Sequence, residues 1–328
     1  MTGRVAVIGG SGFIGTELCS RLSNSGRPFE ILDKRQSRNG RALVVDVTDE
    51  STLESALSGF DAIVNLAAEH KDNVMPRSLY DDVNVRGARN VCEAARRNGI
   101  MRIVFTSSVA VYGFAPFGTD ETGRFNPFND YGRTKMEAEA IYRAWAAEDP
   151  ARSLVIVRPT VVYGRRNRGN VYNLLRQIAS GTFVMVGNGR NVKSMAYVEN
   201  VAAFLEFALS FGPGEHLFNY VDKPDRDMNT LVADVRRMLG KNDSLRVRLP
   251  FWLGYAGGLA LDVVARITGR EFPISAMRVK KFCAQTMFSS SRIASTGFSA
   301  PASMADGLDR TVRYEFVEKH DEELFYTE

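Results

Sequence analysis

The sequence predicts an α/β fold with a doubly wound parallel sheet, followed by a smaller, mixed α/β domain. Two observations support this fold class. Short apolar runs rich in Val, Ile and Leu alternate with longer segments whose apolar residues recur at helical spacing. A glycine-rich stretch stands between the first apolar run and the first helical segment. We therefore predict buried parallel strands joined by helices that cover both faces of the sheet.

The individual elements follow from the same patterns. Each predicted strand is a nearly continuous apolar run, as expected where helices cover both faces of a sheet. Two predicted helices end in Gly26 and Gly99, which suit helix C-termini. The predicted strands are residues 4–10, 29–33, 42–47, 61–68, 102–108, 153–159 and 216–221. The predicted helices are residues 16–26, 87–99, 131–148, 169–181, 199–209 and 251–267.

Composition and charge narrow the possible functions. The chain has 328 residues, of which 45% are hydrophobic and 24% charged, and its net charge is +4. Because no long basic run occurs, the sequence shows no footprint for nucleic acid. The three cysteines and three histidines lack metal-ligand spacing, so we expect reduced thiols, a cytoplasmic protein and no bound metal.

The second half of the chain is less regular than the first. We predict that residues 1–165 form the sheet domain, that part of about 190–222 returns to it, and that residues 166–328 mainly form the substrate domain. The most apolar segment, residues 251–267, is interrupted by Asp262 and Arg266 and lacks an unbroken span of about 20 apolar residues. It favours a helix packed within the protein, with contact to a membrane surface as the alternative.

The glycine-rich stretch GGSGFIG indicates a dinucleotide site. Gly9, Gly12 and Gly15 stand between a strand and a helix, where glycine permits a tight turn and close approach of a pyrophosphate. The helix N-terminus offers free N–H groups to phosphate. Asp33 ends the second strand, where its carboxylate can accept hydrogen bonds from ribose hydroxyls. This is the arrangement of a Rossmann-type domain.

The charge near the second strand bears on the choice of cofactor. A carboxylate at Asp33 repels a 2′-phosphate, which favours NAD over NADP. The basic residues Lys34, Arg35 and Arg38 follow it and weaken that preference. We expect NAD as the cofactor, with NADP as the less favoured alternative.

The stretch YGRTK indicates an acid–base site. Tyr131 and Lys135 are four residues apart at the start of a predicted helix and so share one helix face. A free tyrosine has a pKa near about 10, and a neighbouring ammonium lowers it toward neutrality. Ser108 lies at the carboxyl end of a predicted strand, where ligands of such sheets bind. Together these residues suggest a base, a group that tunes it, and a hydroxyl that orients a substrate oxygen.

These motifs resemble the extended short-chain dehydrogenases/reductases of the NAD-dependent epimerase/dehydratase group. The resemblance runs nearly from end to end of the chain. One departure is Asn65, where many relatives have histidine. The matching stretches are GGSGFIG, the DV pair at 46–47, NLAA at 65–68, NVRGARNV at 84–91, SSVAVYG, YGRTK, RPTVVYG at 158–164 and GNGRNVKSMAYVENV at 187–201.

The resemblance implies specific roles for individual residues. Ser108 and Tyr131 are implied to be catalytic, and Lys135 to bind the nicotinamide ribose. Asp46 and Val47 are implied to contact adenine, and Asn84 to reach the nicotinamide half. The remaining residues of the implied cofactor site are Phe13, Ile14, Leu66, Ala67, Ala68, Ser107 and Pro159.

The residues after Ser108 exclude several reactions of the family. Relatives that dehydrate a 4-keto sugar carry Asp-Glu there, because elimination of water needs an acid and a base. Sugar decarboxylases place a glutamate at the position of Ala110, and 3,5-epimerising reductases a cysteine near it. Here the residues are Val109 and Ala110, and neither can move a proton. Hydride transfer alone remains.

The second half of the chain suggests the substrate. Lys193 matches the position at which relatives hold a nucleotide-sugar diphosphate with an arginine or lysine. Arg278 and Lys280 are candidates for the opposing phosphate contact, and Asn170 resembles the substrate-side loop of the family. Basic groups from separate segments suit a diphosphate, although a solvated basic surface would have the same composition.

We therefore predict an NAD-dependent oxidoreductase that moves hydride at C4 of a nucleotide-diphosphate sugar, of the UDP-hexose 4-epimerase type. The main alternative is an NAD(P)H-dependent 4-ketoreductase of a UDP-4-keto-6-deoxy sugar. More distant alternatives are a hydroxysteroid-type dehydrogenase and an NAD-sensing protein without turnover. The family resemblance further suggests a role in polysaccharide biosynthesis.

Assembly is predicted from the helix that carries Tyr131. Relatives commonly form two-fold dimers through this helix and helix 87–99. The Tyr131 helix has a second apolar stripe that includes Tyr142 and Trp145, and a second stripe asks for a partner. We expect a homodimer in which Trp145 lies at the interface. The alternative is that Trp145 packs under the second domain of its own chain.

Overall fold

The core of the molecule is a parallel sheet of seven strands, in the order β11-β6-β5-β4-β1-β2-β3. A computed structural model describes residues 3–37, 40–71, 74–243, 247–269, 275–320 and 324–326. The sheet strands are β1 (Val5–Ile8), β2 (Phe29–Asp33), β3 (Ala42–Val44), β4 (Ala62–Asn65), β5 (Arg102–Thr106), β6 (Ser153–Pro159) and β11 (Gly214–Tyr220). The predicted fold class is confirmed.

Helices cover both faces of this sheet, as the continuous apolar strands require. On one face lie α1 (Phe13–Asn24) and α7 (Val198–Ala208), which share a core with the strands through residues such as Leu18 and Phe204. The helices that line the other face are α2 (Glu50–Ala56), α3 (Ser78–Tyr80), α4 (Gly87–Arg97) and α5 (Asp130–Ala147). A π-helical segment, Asp81–Arg86, leads into α4, and a 3-10 turn, Val109–Tyr112, follows β5.

The rest of the chain forms short strand pairs and helices after β6. The short strands are β7 (Val161–Tyr163), β8 (Met185–Val186), β9 (Val192–Lys193), β10 (Met195–Tyr197), β12 (Arg226–Asp227) and β13 (Arg248–Leu249). The helices are α6 (Asn170–Ser180), α8 (Met228–Met238), α9 (Phe251–Thr268), α10 (Ala276–Cys283), α11 (Ser291–Ala294) and α12 (Met304–Phe316). Leu175, Val232 and Leu308 belong to a separate core that joins α6, α8 and α12.

The order of the strands determines where a ligand can bind. The chain runs outward from β1 to β2 and β3, and then returns to place β4 on the other side of β1. In open α/β sheets, ligands bind at the carboxyl ends of the strands beside such a reversal. The glycine stretch leaves β1 and Asn65 ends β4 at this point. The fold therefore opens a crevice where the sequence predicted a cofactor.

The prediction that Trp145 lies at a dimer interface is wrong. Both Trp145 and Tyr142 are fully buried within the chain itself, in a core that includes Cys92 and Leu154. The second apolar stripe of α5 is covered because α5 packs against the sheet on one side and against the neighbouring helix α4 on another. Nor does Trp145 pack under the second domain, since this core belongs to the sheet and its helices.

Helix α9 is packed much less than its sequence predicted. Within Phe251–Thr268, all of which the structure describes, only Gly258 is buried. Trp252 and Ile267 expose 68% and 78% of their surface. Even so, among the described parts of the chain no helix has the length and hydropathy needed to cross a membrane.

Candidate active site

The glycine stretch forms a tight loop against the end of β4. Gly9 has φ +79°, which disfavours any side chain, and a Cβ there would lie 2.7 Å from the backbone nitrogen of Ala67. A Cβ on Gly15 would lie 2.4 Å from the Gly9 carbonyl oxygen. Gly12 begins α1 and supplies no side-chain cap. The first turn of α1 thus presents backbone N–H groups to a cradle that fits a pyrophosphate.

Asp33 is held beside this loop. One carboxylate oxygen accepts a hydrogen bond from the Ser11 N–H at 3.0 Å, and the other accepts one from the Arg35 N–H at 3.0 Å. Each oxygen keeps a lone pair for a further donor such as a ribose hydroxyl. Lys34 and Arg35 are exposed, and Arg38 lies outside the described residues.

The other residues predicted to contact the cofactor stand at the carboxyl ends of β3, β4 and β6 and at the start of α1. Asp46 is exposed and accepts a hydrogen bond from the Thr48 N–H at 2.9 Å, whereas Val47 is buried. Asn65 donates to the Tyr142 hydroxyl at 2.6 Å and accepts from the Ala67 N–H at 3.0 Å. The residue that departs from many relatives therefore supports the backbone next to Gly9. The remaining members are placed by their elements: Phe13 and Ile14 begin α1, Leu66 to Ala68 follow β4, and Pro159 ends β6.

The predicted catalytic residues are brought together at the start of α5. A Cβ on Gly132 would lie 2.5 Å from the Ala110 carbonyl oxygen, so α5 begins in close contact with the 3-10 turn after Ser108. This contact places the Tyr131 hydroxyl in hydrogen-bonding range of the Ser108 side chain. Val109 and Ala110, whose side chains cannot support elimination chemistry, are half-buried in the same turn.

Lys135 lies behind the tyrosine. Its Nζ donates to the Thr106 carbonyl oxygen at 2.8 Å and lies 6.0 Å from the centroid of the Tyr131 ring. Burial lowers the pKa of Lys135 to about 7, although the nearby carboxylate of Glu139 opposes that change. Burial also raises the pKa of Tyr131 to about 12, an effect that the hydrogen bond with Ser108 partly offsets. The protein alone therefore keeps the tyrosine protonated at neutral pH.

A buried ion pair joins the helix that carries Tyr131 and Lys135 to the sheet. Glu139 of α5 and Arg158 of β6 are both fully buried, and the Arg158 Nε donates to the carboxylate at 2.7 Å. Ser107 donates its hydroxyl to the same carboxylate at 2.6 Å. The Ser107 side chain is thus directed toward Glu139 in the core, and the implied contact of this residue with the cofactor stays a prediction. The pair was missed in the sequence because its members are 19 residues apart on different elements.

Asn84 anchors a loop beside the tyrosine. Its side chain accepts from the Glu69 N–H at 2.8 Å and donates to the Thr134 hydroxyl at 2.9 Å. This links the loop after β4 to α5. The loop also carries His70, whose ring centroid lies 6.5 Å from that of Tyr131. The position of His70 beside Tyr131 was not predicted. Its only signal in the sequence is that it follows the predicted cofactor residues Leu66 to Ala68 by two positions.

On the substrate side, Lys193 is tied to the end of α10. Its Nζ donates to the carbonyl oxygens of Lys281 and Ala284 at 3.0 and 2.8 Å. Burial lowers its pKa to about 8. The structure therefore joins Lys193 to the C-terminal end of α10, the helix that carries Arg278 and Lys280, and the shared diphosphate contact stays a prediction.

Helix α10 in turn reaches the loops around the catalytic residues. The Lys280 ammonium lies 5.1 Å from the ring centroid of Phe114, and that of Lys281 lies 5.1 Å from Phe128. The two phenylalanine rings stack with centroids 4.8 Å apart. Phe114 follows the turn after Ser108, and Phe128 precedes Tyr131 by three residues. Two cations and two exposed aromatic rings thus stand at the mouth of the site.

The two other predicted substrate contacts, Arg278 and Asn170, are both exposed at the surface. Arg278 is exposed on α10, where its backbone N–H donates to the capping Ser275 hydroxyl at 3.1 Å. Asn170 is exposed at the start of α6, which packs against α8 and α12. Across the residues that the structure describes, no group of three or more His, Cys, Asp or Glu side chains could hold a metal ion.

Comparison with known proteins agrees with this geometry. The model of the NAD dependent epimerase/dehydratase family matches residues 5–220. This chain belongs to that family. A relative from Escherichia coli O157:H7 is 49% identical over all of both chains and is named N-acetyl-alpha-D-glucosaminyl-diphospho-ditrans,octacis-undecaprenol 4-epimerase. A UDP-glucose 4-epimerase from Vibrio cholerae is 27% identical over 81% of this chain and 85% of its own.

Solved structures confirm the fold of this family member. A structure of MoeE5 in complex with UDP-glucose and NAD has a TM-score of 0.76 at 24% identity, over 95% of this chain and 98% of that one. A UDP-glucose 4-epimerase from Thermus thermophilus, in complex with NAD, has a TM-score of 0.73 at 21% identity over the same shares.

Proposed function

We propose that this protein is an NAD-dependent 4-epimerase of a diphosphate-linked sugar. One arrangement carries the proposal: Tyr131, Ser108 and Lys135 stand beside the glycine loop at the carboxyl edge of the sheet. The turn after Ser108 supplies no proton-moving side chain, so elimination has no acid or base there. The name of the Escherichia coli relative, which is similar over its full length, supports 4-epimerisation.

Each catalytic side chain has one task in this proposal. Tyr131 removes the proton from the O4 hydroxyl of the sugar and later returns it, while Ser108 hydrogen-bonds the same oxygen and orients it. Lys135 stabilises the phenolate from behind the ring. The bound cofactor supplies a reversible acceptor for the C4 hydride. Val109 and Ala110 offer the 4-keto sugar no polar anchor, which allows it to turn over between the two transfers.

The pKa values of Tyr131 and Lys135 suggest that the base needs a further positive charge nearby to lose its proton at neutral pH. With its pKa raised to about 12 by burial, Tyr131 is a weak acid in the protein alone. Lys135, with a pKa lowered to about 7, is only partly charged at neutral pH. A positive charge on a bound cofactor would lower the pKa of the Tyr131 phenol and so oppose the effect of burial, which would make the base available only when the cofactor is present.

We propose NAD as the cofactor. Asp33, fixed by two backbone N–H groups, would accept hydrogen bonds from the adenosine ribose, and its charge disfavours a 2′-phosphate. Asn84 holds the loop on the nicotinamide side. The other residues that would hold the cofactor are Gly9, Gly12, Phe13, Ile14, Gly15, Asp46, Val47, Leu66, Ala67, Ala68, Lys135 and Pro159.

The group beyond the diphosphate is where the relatives differ. We propose a polyprenol carrier with an N-acetylhexosamine as the sugar, because the similarity to the Escherichia coli protein extends over the full length of both chains. Exposed aromatic residues agree with an apolar carrier: Phe114 and Phe128 at the mouth expose 39% and 45% of their surface, and Phe117, three residues after Phe114, exposes 61%. A UDP-hexose, the substrate predicted from the sequence, is the second candidate and is favoured by the lysines around Lys193.

Assembly and location remain part of the proposal. We retain the homodimer through α4 and α5, with exposed Ala140 and Ala144 as the small residues that allow close approach. We also retain a cytoplasmic location, to which the free thiols of Cys19, Cys92 and Cys283 are suited.

The proposal is tested by NMR of the sugar signals after incubation with N-acetylglucosaminyl diphospho-polyprenol and, separately, with a panel of UDP-hexoses. We expect inversion at C4 without added reduced cofactor, and NAD that remains bound through purification. Consumption of NAD(P)H with a 4-keto sugar would instead identify the ketoreductase, oxidation of a sterol the hydroxysteroid-type dehydrogenase, and absence of all turnover a sensor.

A tyrosine pair tests the catalytic assignment. Tyr131→Phe should lower turnover at least ~10²-fold while cofactor binding persists, because the general base is removed and its ring kept. Tyr172→Phe is the control, since the Tyr172 ring stacks on Phe316 in the other core and its ring contacts survive. Near-normal turnover of Tyr131→Phe would refute the assignment.

A further inference from the structure

Helix α9 has its large apolar side chains on the outside. Trp252, Leu259, Val263 and Ile267 follow one another at spacings of seven, four and four, which places them on one face of the helix. They expose 68%, 47%, 57% and 78% of their surface. An ordinary surface helix has the opposite arrangement, with its apolar stripe against the core.

The inner face explains this inversion. A Cβ on Gly254 would lie 2.7 Å from the side chain of Val186, and a Cβ on Gly258 would lie 2.6 Å from the backbone nitrogen of Ala276. The glycines therefore let α9 approach β8 and α10 so closely that no large side chain fits between them. The apolar stripe is outside because the packed face leaves no room for large apolar side chains at Gly254 and Gly258.

Within the described residues of α9 and α10, the exposed charged side chains beside this stripe are basic. Asp262 is the single acidic residue of α9, and it is turned inward, where it accepts a hydrogen bond from the Ala276 N–H at 3.0 Å. Arg266 on α9 and Arg278 and Lys280 on the adjoining α10 are exposed. Met277 adds a further apolar side chain, 50% exposed, beside them.

We propose that this face of α9 docks in the plane of an anionic phospholipid surface. Apolar side chains with a basic flank match the acyl boundary and the phosphates of such a surface, and an interfacial helix needs no transmembrane length. The proposal goes beyond the proposed function, because bilayer binding requires no sugar. Through α10 and Lys280, the docked helix adjoins the mouth of the active site.

The two tryptophans make the test selective. Trp145 is fully buried and Trp252 is 68% exposed, so any change in emission on adding lipid comes from α9. We expect a blue shift when the full chain meets vesicles of three parts phosphatidylcholine to one part phosphatidylglycerol. The shift should be smaller with phosphatidylcholine alone and should weaken as salt is added.

A matched pair of substitutions identifies the surface. Val263→Glu should lower partitioning into the mixed vesicles at least ~10-fold, because a carboxylate enters the apolar, anionic interface. Val317→Glu, at a position 60% exposed at the end of α12, should stay within ~2-fold of the unsubstituted protein. Equal partitioning of the two variants, or no binding of the unsubstituted chain, would overturn the proposal.

Two further outcomes distinguish lipid docking by α9 from a dimer interface and from the proposed catalytic function. If Val263→Glu dissociates a dimer in light scattering and vesicles have no effect on Trp252, the face joins two copies of the chain and the lipid proposal is wrong. Tyr131→Phe should bind vesicles like the unsubstituted protein while losing turnover. Loss of turnover with normal vesicle binding, or the reverse, therefore shows which of the two proposals fails.

Discussion

Helices α5 and α9 are both 18 residues long, and each carries one of the two tryptophans. The tryptophan is buried on α5 and exposed on α9. On α5, Trp145 is fully buried in the core that the sheet shares with α4 and α5, and the outward residues are mostly charged or small. On α9, Trp252 is largely exposed and the inward residues are glycines. Apolar content alone therefore does not indicate which way a helix faces.

The difference follows from what each helix supports. Helix α5 carries Tyr131 and Lys135, whose pKa values depend on a rigid, buried surrounding. It is accordingly fixed by packing on two sides and by the pair of Glu139 with Arg158. Helix α9 carries no reacting group, and its close contact through Gly254 and Gly258 leaves an apolar face available for another surface.

The largest expected difference in unfolding free energy is between the same substitution, to glutamate, at Trp145 and at Trp252. Trp145→Glu should lower the free energy of unfolding by more than about 4 kcal/mol, because it removes a large buried ring and leaves a charge in the core. Trp252→Glu should change it by no more than about 0.5 kcal/mol, as exposed positions do. Urea denaturation measures both. A folded Trp145→Glu protein would refute the buried placement of α5.

The next effect compares a buried carboxylate with an exposed one. Glu139→Gln leaves Arg158 as an uncompensated buried charge and should cost about 3–5 kcal/mol of unfolding free energy. Glu215→Gln removes the partner of Arg143 at the surface, where the pair is worth at most about 1 kcal/mol. Thermal unfolding of the two variants checks this order, and equal losses would contradict it.

The pH dependence of stability should report Lys135. Because burial lowers its pKa from 10.5 to about 7, the unfolded chain holds a proton in that range that the folded protein has lost. The stability from this group is thus complete above the unfolded pKa and is lost as the pH falls toward 7. Relative to Lys135→Met, the unsubstituted protein should gain stability between pH 7 and 10 in urea titrations.

Lys193→Met is the companion variant for that titration. The pKa of Lys193 is lowered to about 8, so its pH interval is narrower and its effect smaller. A difference between the unsubstituted protein and Lys135→Met that does not change with pH would show that Lys135 titrates normally.

The smallest expected effect is on cofactor affinity, where the fixed carboxylate of Asp33 competes with the exposed cations Lys34 and Arg35. Asp33 is fixed by two backbone N–H groups, whereas Lys34 and Arg35 are exposed. NAD should therefore bind at least ~10-fold more tightly than NADP, which corresponds to about 1.4 kcal/mol. Calorimetric titration of both cofactors tests this, and equal affinities would mean that the exposed cations override Asp33.

Most of the fold could be predicted because it depends on local patterns. The apolar runs of β1, β4 and β6 can only be buried strands, and the glycine spacing after β1 serves one kind of turn. The same holds for Tyr131 and Lys135, whose spacing places them on one helix face. Ser108 was found because strand ends and ligands coincide in such sheets.

The rest depends on contacts between distant segments. The pair of Glu139 with Arg158, the turning of Ser107 into the core and the burial of Trp145 each require knowledge of which helix lies over which strand. The facing of α9 was missed for a different reason. Its sequence is apolar around most of the helix, and the signals of direction were weak: two glycines four residues apart at 254 and 258, and Asp262 four residues further on.

Those two glycines also determine which substitutions the chain can tolerate. At Gly258 even a methyl group would meet the Ala276 backbone at 2.6 Å, so alanine there would lift the helix away from α10. The outer residues have no such neighbours and can be exchanged for one another while they stay apolar. Substitution in α9 is therefore restricted at its inward-facing glycines and tolerated at its exposed residues.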